Sequence, residues 1–568
     1  MSTPTLGSHI AARLVEIGVT EYFCVPGDFN LTLLDQLNAC KELKMVNCCN
    51  ELEAGYAADG YARAKGVGCL AITFTVGGLS AINAVAGAYA EDLPVICITG
   101  VPNSNDFGDP TKTLHHTTAD ESFDQEYRCF QEVTVCQTTI RALEGAYEKI
   151  DHAIAQALYA HKPVLIQVAC NMASLTHPLF EKQPVPFSLT GKTTNKVSMR
   201  EAVRSAADFL NAAAKVVLVI GSQVRLCNAQ KQAVQLADAC QYPVAVMPRS
   251  KGMFPETHPR FMGVYWANIS SEGVCEAVES ADAYIFVGPT FNDYSTCAFS
   301  QLLSESKMVR VGPRRVTVAG KRTFGCINMA ELLPLLAEEL QPNDTTFQAF
   351  KRTYVGVGRV PSNGKDAPLK GKLLYSHLQE YLTDDVTILV DTGDAQFNAM
   401  KFKLPEKTGF EVQLQYGSIG WSVGATLGFA LGRPTTRMLS LIGDGSFQVT
   451  AQGLSTMIRV GISPLIILVN NSGYVIEEEI HAGPYNKISD WNYTAVVEGM
   501  AGSRKNLYTA KVRTEADLIK TLEEVQSKEH KHKLCFVEVF LHPEDCSADL
   551  LEWGSRLAAY NARPPVPT

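Results

Sequence analysis

The chain has 568 residues, 46% of them apolar and 19% charged, and a formal net charge of -9 at pH 7. Such a composition predicts a core-rich globular protein of about three domains. It excludes a disordered chain and offers no basic footprint for nucleic acid. Apolar runs of about five to nine residues fall well short of a membrane span. Residues 1–10 lack a basic segment followed by an apolar one, so neither a membrane partner nor a secretory signal is expected.

The 16 cysteines include no Cys-x-x-Cys, and Cys69, Cys97, Cys170 and Cys535 lie inside apolar runs. Thiols there act as small hydrophobes, which predicts a cytoplasmic chain without disulfides.

In chain order, short apolar strands alternate with helical segments in three clusters. The first predicts strands at 22–25, 45–49, 69–74, 95–98 and 164–168, with helices over 53–64 and 80–91. A polar, proline-containing stretch at 182–198 leads to a second cluster at 216–221, 243–247, 284–288 and 308–311. There Ile220-Gly221-Ser222-Gln223 lacks Gly-x-Gly-x-x-Gly and reads as a plain crossover. A second linker, 341–370, precedes strands at 387–391, 438–442, 464–469 and 534–539. The expected fold is α/β, with three doubly wound parallel-sheet domains over 1–185, 186–355 and 356–568.

Three polar groups stand out in the first domain. Gly27-Asp28-Phe29-Asn30 follows a strand, Asn50-Glu51-Leu52-Glu53 opens a helix, and His115-His116 sits in a polar loop. Alone, Asp28 is as readily a helix cap as an active-site group, and Glu51 a first-turn acid. A histidine pair in a loop suits a proton shuttle, because imidazole titrates near neutral pH.

The third domain carries the sharpest pattern: Gly443-Asp444-Gly445, 24 residues, then Asn470-Asn471. Strand, helix (expected over 449–460) and strand make a parallel crossover, placing Asp444 and Asn471 at carboxyl strand ends, where open α/β sheets bind ligands. A carboxylate, an amide oxygen and a backbone carbonyl, for which Gly473 is a candidate, suit Mg²⁺ on substrate phosphates. Gly443 and Gly445 let the backbone approach a diphosphate. Of Glu477, Glu478 and Glu479, the last two read as a solvated helix start, whereas Glu477 follows the segment that must wrap a ligand and is a catalytic candidate.

The spaced Gly-Asp-Gly and Asn-Asn resemble the diphosphate motif of thiamin diphosphate enzymes. Further segments narrow the resemblance: Gly27-Asp28-Phe29-Asn30-Leu31, Cys48-Cys49-Asn50-Glu51-Leu52, Leu114-His115-His116, Tyr416-Gly417-Ser418-Ile419-Gly420-Trp421 and Ile480-His481-Ala482-Gly483-Pro484. From about residue 5 to the C-terminus the chain resembles the pyruvate decarboxylases of the bacterial and plant type, with domains of the thiamin diphosphate-binding enzyme type.

The resemblance implies thiamin diphosphate and Mg²⁺ as cofactors and pyruvate as substrate, split to acetaldehyde and CO₂ as in ethanol fermentation. It implies that Glu51 hydrogen-bonds the aminopyrimidine and that Ile419 keeps the cofactor bent. Asp28, His115, His116 and Glu477 would bind the carboxylate and relay protons. Thr392, Gly417, Ser418, Gly445, Ser446, Ser472, Tyr474, Val475 and Ile476 would touch the cofactor, while Asp444, Asn471 and the Gly473 carbonyl hold Mg²⁺. It also implies a dimer or tetramer with active sites between subunits.

One departure is Ala395-Gln396, where the family has Ser-Trp. Ile476 and Ile480 favour pyruvate over phenylpyruvate or indolepyruvate, with modest activity on 2-ketobutyrate expected. The alternatives are a decarboxylase of such larger 2-keto acids, a carboligase of the acetolactate synthase type, or a non-catalytic assembly partner. The histidine pair argues against the carboligase. The assembly partner predicts loss of Glu51, Asp444 or Asn471, and all three are present.

Overall fold

The computed structural model describes residues 4–566 apart from positions 110, 183, 190, 192, 357, 359 and 365, so parts of both expected linkers lie outside the described residues. Three sheets form. The first contains β1 (Glu21–Cys24), β2 (Lys44–Asn47), β3 (Gly68–Thr73), β4 (Val95–Val101), β5 (Gln137–Ile140) and β6 (Val164–Ala169), in the order β2-β1-β3-β4-β6-β5. The second contains β7 (Val216–Ile220), β8 (Val244–Val246), β9 (Phe261–Val264), β10 (Ala283–Val287), β11 (Met308–Val311), β12 (Arg315–Val318) and β13 (Arg322–Gly325), in the order β13-β12-β11-β10-β7-β8-β9. The third contains β14 (Val386–Val390), β15 (Gly409–Val412), β16 (Arg437–Gly443), β17 (Leu465–Asn470), β18 (Leu507–Val512) and β19 (Leu534–Phe540), in the order β15-β14-β16-β17-β19-β18.

The first and third sheets therefore share one topology, and every pair in both is parallel. β3 and β17 are buried along their whole length, as strands covered by helices on both faces must be. In each sheet the chain leaves one strand, adds an edge strand and returns to the other side. The reversals fall between β1 and β3 and between β14 and β16, where the crevices of doubly wound sheets open.

The middle sheet carries an antiparallel edge on its parallel core. β12 runs antiparallel to both β11 and β13, because the joining segments 312–314 and 319–321 are far too short for a parallel crossover of a dozen residues. The strands that the sequence does not announce (β5, β9, β12, β13, β15 and β18) lie at or beside sheet edges. Partial exposure there removes the need for a continuous apolar run. The helix expected over 449–460 is two helices, Asp444–Thr450 and Gly453–Val460.

Helix Glu51–Lys65 of the first sheet's domain lies directly on helix Trp421–Gly432 of the third. A Cβ at Gly60 would stand 2.2 Å from the Ala425 carbonyl oxygen, and one at Gly428 would stand 1.8 Å from that of Ala57. The two backbones touch because both helices present glycine and alanine at the crossing. Arg63, with its side chain buried, leaves this seam to pair with Asp59, Glu91 and Glu411. Arg225 and Arg249 of the middle domain meet Glu411 and Glu91, so one ionic network ties all three domains together. Among the described residues no helix is long and apolar enough to cross a membrane.

Candidate active site

The third sheet builds one half of the candidate site. β16 and β17 pair in register through Gly443 and Val469, so their carboxyl ends lie side by side at the sheet's reversal. A narrow cleft opens there, lined by Thr392, Ile419, Asp444, Gly445, Ser446, Asn471, Gly473, Tyr474, Val475 and Ile476, all expected from the sequence. Gly393, Asp394, Ala395, Gly443 and Val469 complete the lining. Gly417, Ser418 and Ser472 are not in it.

Asp444 starts the helix Asp444–Thr450 and is 1% exposed. Burial pushes its carboxyl up to about 6, against the pull of backbone N–H groups at Gly445, Ser472 and Gly473. No lysine, arginine or histidine among the described residues pairs with it. A buried carboxylate with no cation beside it, next to the Asn471 amide, is the oxygen donor set that a divalent hard cation completes. The residues present thus fit Mg²⁺. Gly473 has φ 152, and a Cβ there would come within 2.7 Å of the Asn486 carbonyl oxygen. A Cβ at Gly445 would press into the Tyr474 ring at 2.5 Å. Both glycines let the chain fold tightly around the cleft.

Asp391, at the end of β14, is a positioning residue that motif reading passed over. Its two oxygens accept the backbone N–H groups of Gly420 (3.3 Å) and Ser422 (3.0 Å), fixing the turn that carries Ile419 to the cleft. Ser418, on the same turn, donates its N–H to the Gln413 amide oxygen and shares its hydroxyl with Tyr56 and Asn83 of the first domain.

The other half lies in the first domain. After β1, the N–H of Gly27 donates to Asn30 Oδ1 at 2.9 Å, closing the turn that presents Asp28. His115 Nε2 lies 2.8 Å from Asp28 Oδ2, and His116 Nε2 lies 3.5 Å from Oδ1. The Phe29 ring stacks on His115 at 5.1 Å and meets His116 edge-on at 6.1 Å. Asn50 caps the following helix by accepting the N–H of Glu53 at 2.8 Å. Glu51 opens that helix, and a Cβ on Gly77 would sit 3.2 Å from Glu51 Oε1. Glu53 is fully buried instead, accepting the Cys49 N–H at 2.8 Å.

Glu477 is exposed on the helix Val475–Ile480. Its neighbours are more engaged than a solvated helix start: Glu478 accepts from Asn486 Nδ2 at 2.7 Å, and Glu479 is half-buried against Cys546. Gln396, at the Ala395-Gln396 departure, is fully buried. Its amide oxygen accepts the Tyr294 hydroxyl at 3.0 Å, beside the stacked rings of Trp266 and Phe397. Among the described residues no hydrogen bond or ion pair joins Asp28, Glu51, His115 or His116 to Asp444 or Glu477.

Three family descriptions match in order: "Thiamine pyrophosphate enzyme, N-terminal TPP binding domain" over residues 4–127, the central domain over 203–330, and the C-terminal TPP binding domain over 391–539. Pyruvate decarboxylase 1 of Oryza sativa subsp. indica is 52% identical over 563 residues, 99% of this chain and 93% of that protein. Pyruvate decarboxylase 3 of Arabidopsis thaliana is 52% identical over 566 residues, covering 100% of this chain and 95% of its own length. Pyruvate decarboxylase 1 of Pisum sativum is 52% identical, covering 99% and 95%. Three matched domains in their expected order, and identity sustained from end to end, place the chain in the pyruvate decarboxylase family of thiamine pyrophosphate enzymes.

Proposed function

We propose that this chain converts pyruvate to acetaldehyde and CO₂ without oxidation, using thiamin diphosphate and Mg²⁺. The observation that carries the reading is the first-domain cluster in which His115 and His116 both turn Nε2 onto Asp28. It is a proton-transfer group, as release of an aldehyde requires and carboligation does not. When bound, thiamin diphosphate would supply the nucleophile and the electron sink that decarboxylation of a 2-keto acid needs.

The protein's part is binding, orientation and proton traffic. Asp444, the Asn471 amide and the Gly473 carbonyl would hold Mg²⁺, with Gly445, Ser446, Ser472, Tyr474 and Val475 around the cofactor. Thr392, Gly417 and Ser418 flank the aminopyrimidine. Ile419, on the turn tied to Asp391, sets the cofactor's bend. Glu51 exchanges a proton with the aminopyrimidine ring nitrogen through its carboxyl oxygen. His115 and His116 bind the pyruvate carboxylate and pass a proton from Nε2, while Asp28 receives or returns it. Glu477 assists from the other half of the site. Buried Ile476 on the cleft wall, with half-buried Ile480 one turn on, supports pyruvate over aryl 2-keto acids.

The reading includes a dimer or tetramer in which the first domain of one subunit faces the third of another, as the family resemblance implies. A cytoplasmic, fermentative setting accords with the free cysteines and is part of the same reading.

Acetaldehyde release, followed as NADH oxidation by added alcohol dehydrogenase, tests it. Turnover requires both cofactors and is lost in Glu51→Gln. Acetolactate formation in its place, or turnover of phenylpyruvate but not pyruvate, overturns the reaction or the substrate.

A further inference from the structure

The first-domain cluster has a second chemical capacity. Asp28, His115 and His116 each offer one ligand atom, and the three atoms lie within 4.8 Å of one another. The ligands of a tetrahedral Zn²⁺, with bonds of about 2.0–2.1 Å, stand roughly 3.3 Å apart. His115 Nε2 stands 2.8 Å from Asp28 Oδ2 and His116 Nε2 stands 3.5 Å from Oδ1, so modest side-chain rotation brings one oxygen and both nitrogens to that spacing.

The arrangement is held in place before any metal arrives. Phe29 stacks on one ring and abuts the other, and the two imidazoles pack 4.4 Å apart. His116 keeps a left-handed backbone, φ 60, that turns its ring toward Asp28. Both rings direct the same nitrogen, Nε2, at the two oxygens of one carboxylate. In the single chain the side chains of Asp28, His115 and His116 are 48%, 62% and 31% exposed.

We propose that Asp28, His115 and His116 form a binding site for a borderline transition-metal ion, Zn²⁺ above all, and that occupancy of this site blocks turnover. Two imidazoles and a carboxylate select Zn²⁺, Co²⁺ or Ni²⁺. Mg²⁺, which favours six oxygens, stays at Asp444, so the two metals occupy separate sites. On binding, each Nε2 gives its lone pair to the metal, any proton there moves to Nδ1 or to solvent, and the remaining coordination positions keep water. No redox step is involved. The blocking effect rests on the proposed function, since it removes the Nε2 atoms that pass protons and bind the substrate carboxylate; binding itself does not depend on that reading.

The test uses the holoenzyme saturated with thiamin diphosphate and Mg²⁺, titrated with ZnCl₂ or CoCl₂ in chelator-free buffer. Turnover falls to a few per cent with about one Zn²⁺ per chain, raising pyruvate opposes the loss, and a zinc-selective chelator reverses it with Mg²⁺ in excess. Co²⁺ gives visible d–d absorption at one equivalent. In Asp28→Asn and His116→Gln, each checked for an unchanged unfolding temperature, its affinity falls by more than the roughly 10–100-fold typical of outer-shell changes.

Equal Co²⁺ affinity in the wild type and both variants places the metal elsewhere, for instance on exposed Cys49, Cys129 or Cys326, and overturns the proposal. Co²⁺ bound at the triad with turnover untouched overturns the blocking claim and takes the triad out of the working site. Loss of turnover in Asp28→Asn, with no Co²⁺ signal in the wild type, sinks the metal site and leaves the proposed function standing.

Discussion

Glu126 accepts the backbone N–H of Thr75 at 3.1 Å from inside the first domain. Its other oxygen takes the Thr99 hydroxyl at 3.0 Å and the Gln167 amide at 2.6 Å. Thr75 precedes helix Val76–Ala90 with φ 52 and makes no side-chain cap, so a distant carboxyl does the capping. A left-handed β-branched residue costs on the order of 1–3 kcal/mol and persists only where its surroundings hold it. Gly78 makes room, since a Cβ there would lie 1.8 Å from Glu126 Oε1. One residue earlier, Gly77 borders Glu51, so Glu126 anchors the segment behind that acid.

Burial pushes the Glu126 carboxyl from 4.5 up to about 7, despite its three donors. The folded chain then binds this proton more tightly than the unfolded chain. Its stabilising contribution is full below pH 4.5 and is lost as pH rises to about 7, by at most about 3 kcal/mol. In Glu126→Gln that loss is absent. Unfolding temperatures at pH 5 and pH 8 check this: the difference, variant minus wild type, is more positive at pH 8. An equal difference at both values refutes the assignment.

The seam between the first and third domains tolerates no side-chain growth. Gly428→Ala places a methyl 1.8 Å from the Ala57 carbonyl and forces two helix backbones apart. We expect a loss of about 1–3 kcal/mol or more. Gly499→Ala is the control, in helix Tyr493–Ala501 with open space at its Cβ, where a gain of about 0.5–1 kcal/mol is expected. Urea midpoints of the two variants should move in opposite directions.

Asp444 trades stability for ligand binding. Its carboxyl is buried, held up at about 6 and without a cation, so in the metal-free protein its ionised form costs stability above that pH. Asp444→Asn should unfold at a higher temperature than the wild type at pH 8 without cofactors. It should also lose the rise in unfolding temperature that thiamin diphosphate and Mg²⁺ give the wild type, a rise that EDTA abolishes. A variant that keeps the cofactor-dependent rise removes Asp444 from the metal site.

Arg63 is the hub of the ionic network joining the three domains. Burial would lift the carboxyl of Glu91, but Arg249 and Arg63 outweigh it and hold that carboxyl below the usual range. Glu91 in turn accepts the N–H groups of Leu414 (3.1 Å) and Gln415 (2.8 Å), just before the turn that carries Ile419. Arg63→Ala leaves Asp59, Glu91 and Glu411 without a shared cation, and about 3–5 kcal/mol should be lost. Differential scanning calorimetry would reveal it as an earlier or split transition.

The linear order of residues carried the local chemistry. Gly443-Asp444-Gly445 and Asn470-Asn471 end two apolar runs, and such runs become parallel strands whose tips align, so the cleft at Asp444 was legible before any fold was known. Glu51 behind its Asn50 cap and the His115-His116 pair were legible too, as residue types in recognisable positions. Edge strands such as β5 and β18 were not, because half-exposed strands need no apolar run. The β11–β13 hairpin was hidden for the same reason.

What only the tertiary structure decided is how distant residues act on one another. Glu126 caps a helix about fifty residues earlier in the chain, Asp391 fixes the turn that bears Ile419, and Arg63 pairs acids of the first and third domains. None of the three was a candidate site residue in the sequence. Their roles come from burial, which raises the cost of an unpaired charge until only particular partners satisfy it. Those partners are brought together by sheet order and by a glycine seam, not by spacing along the chain.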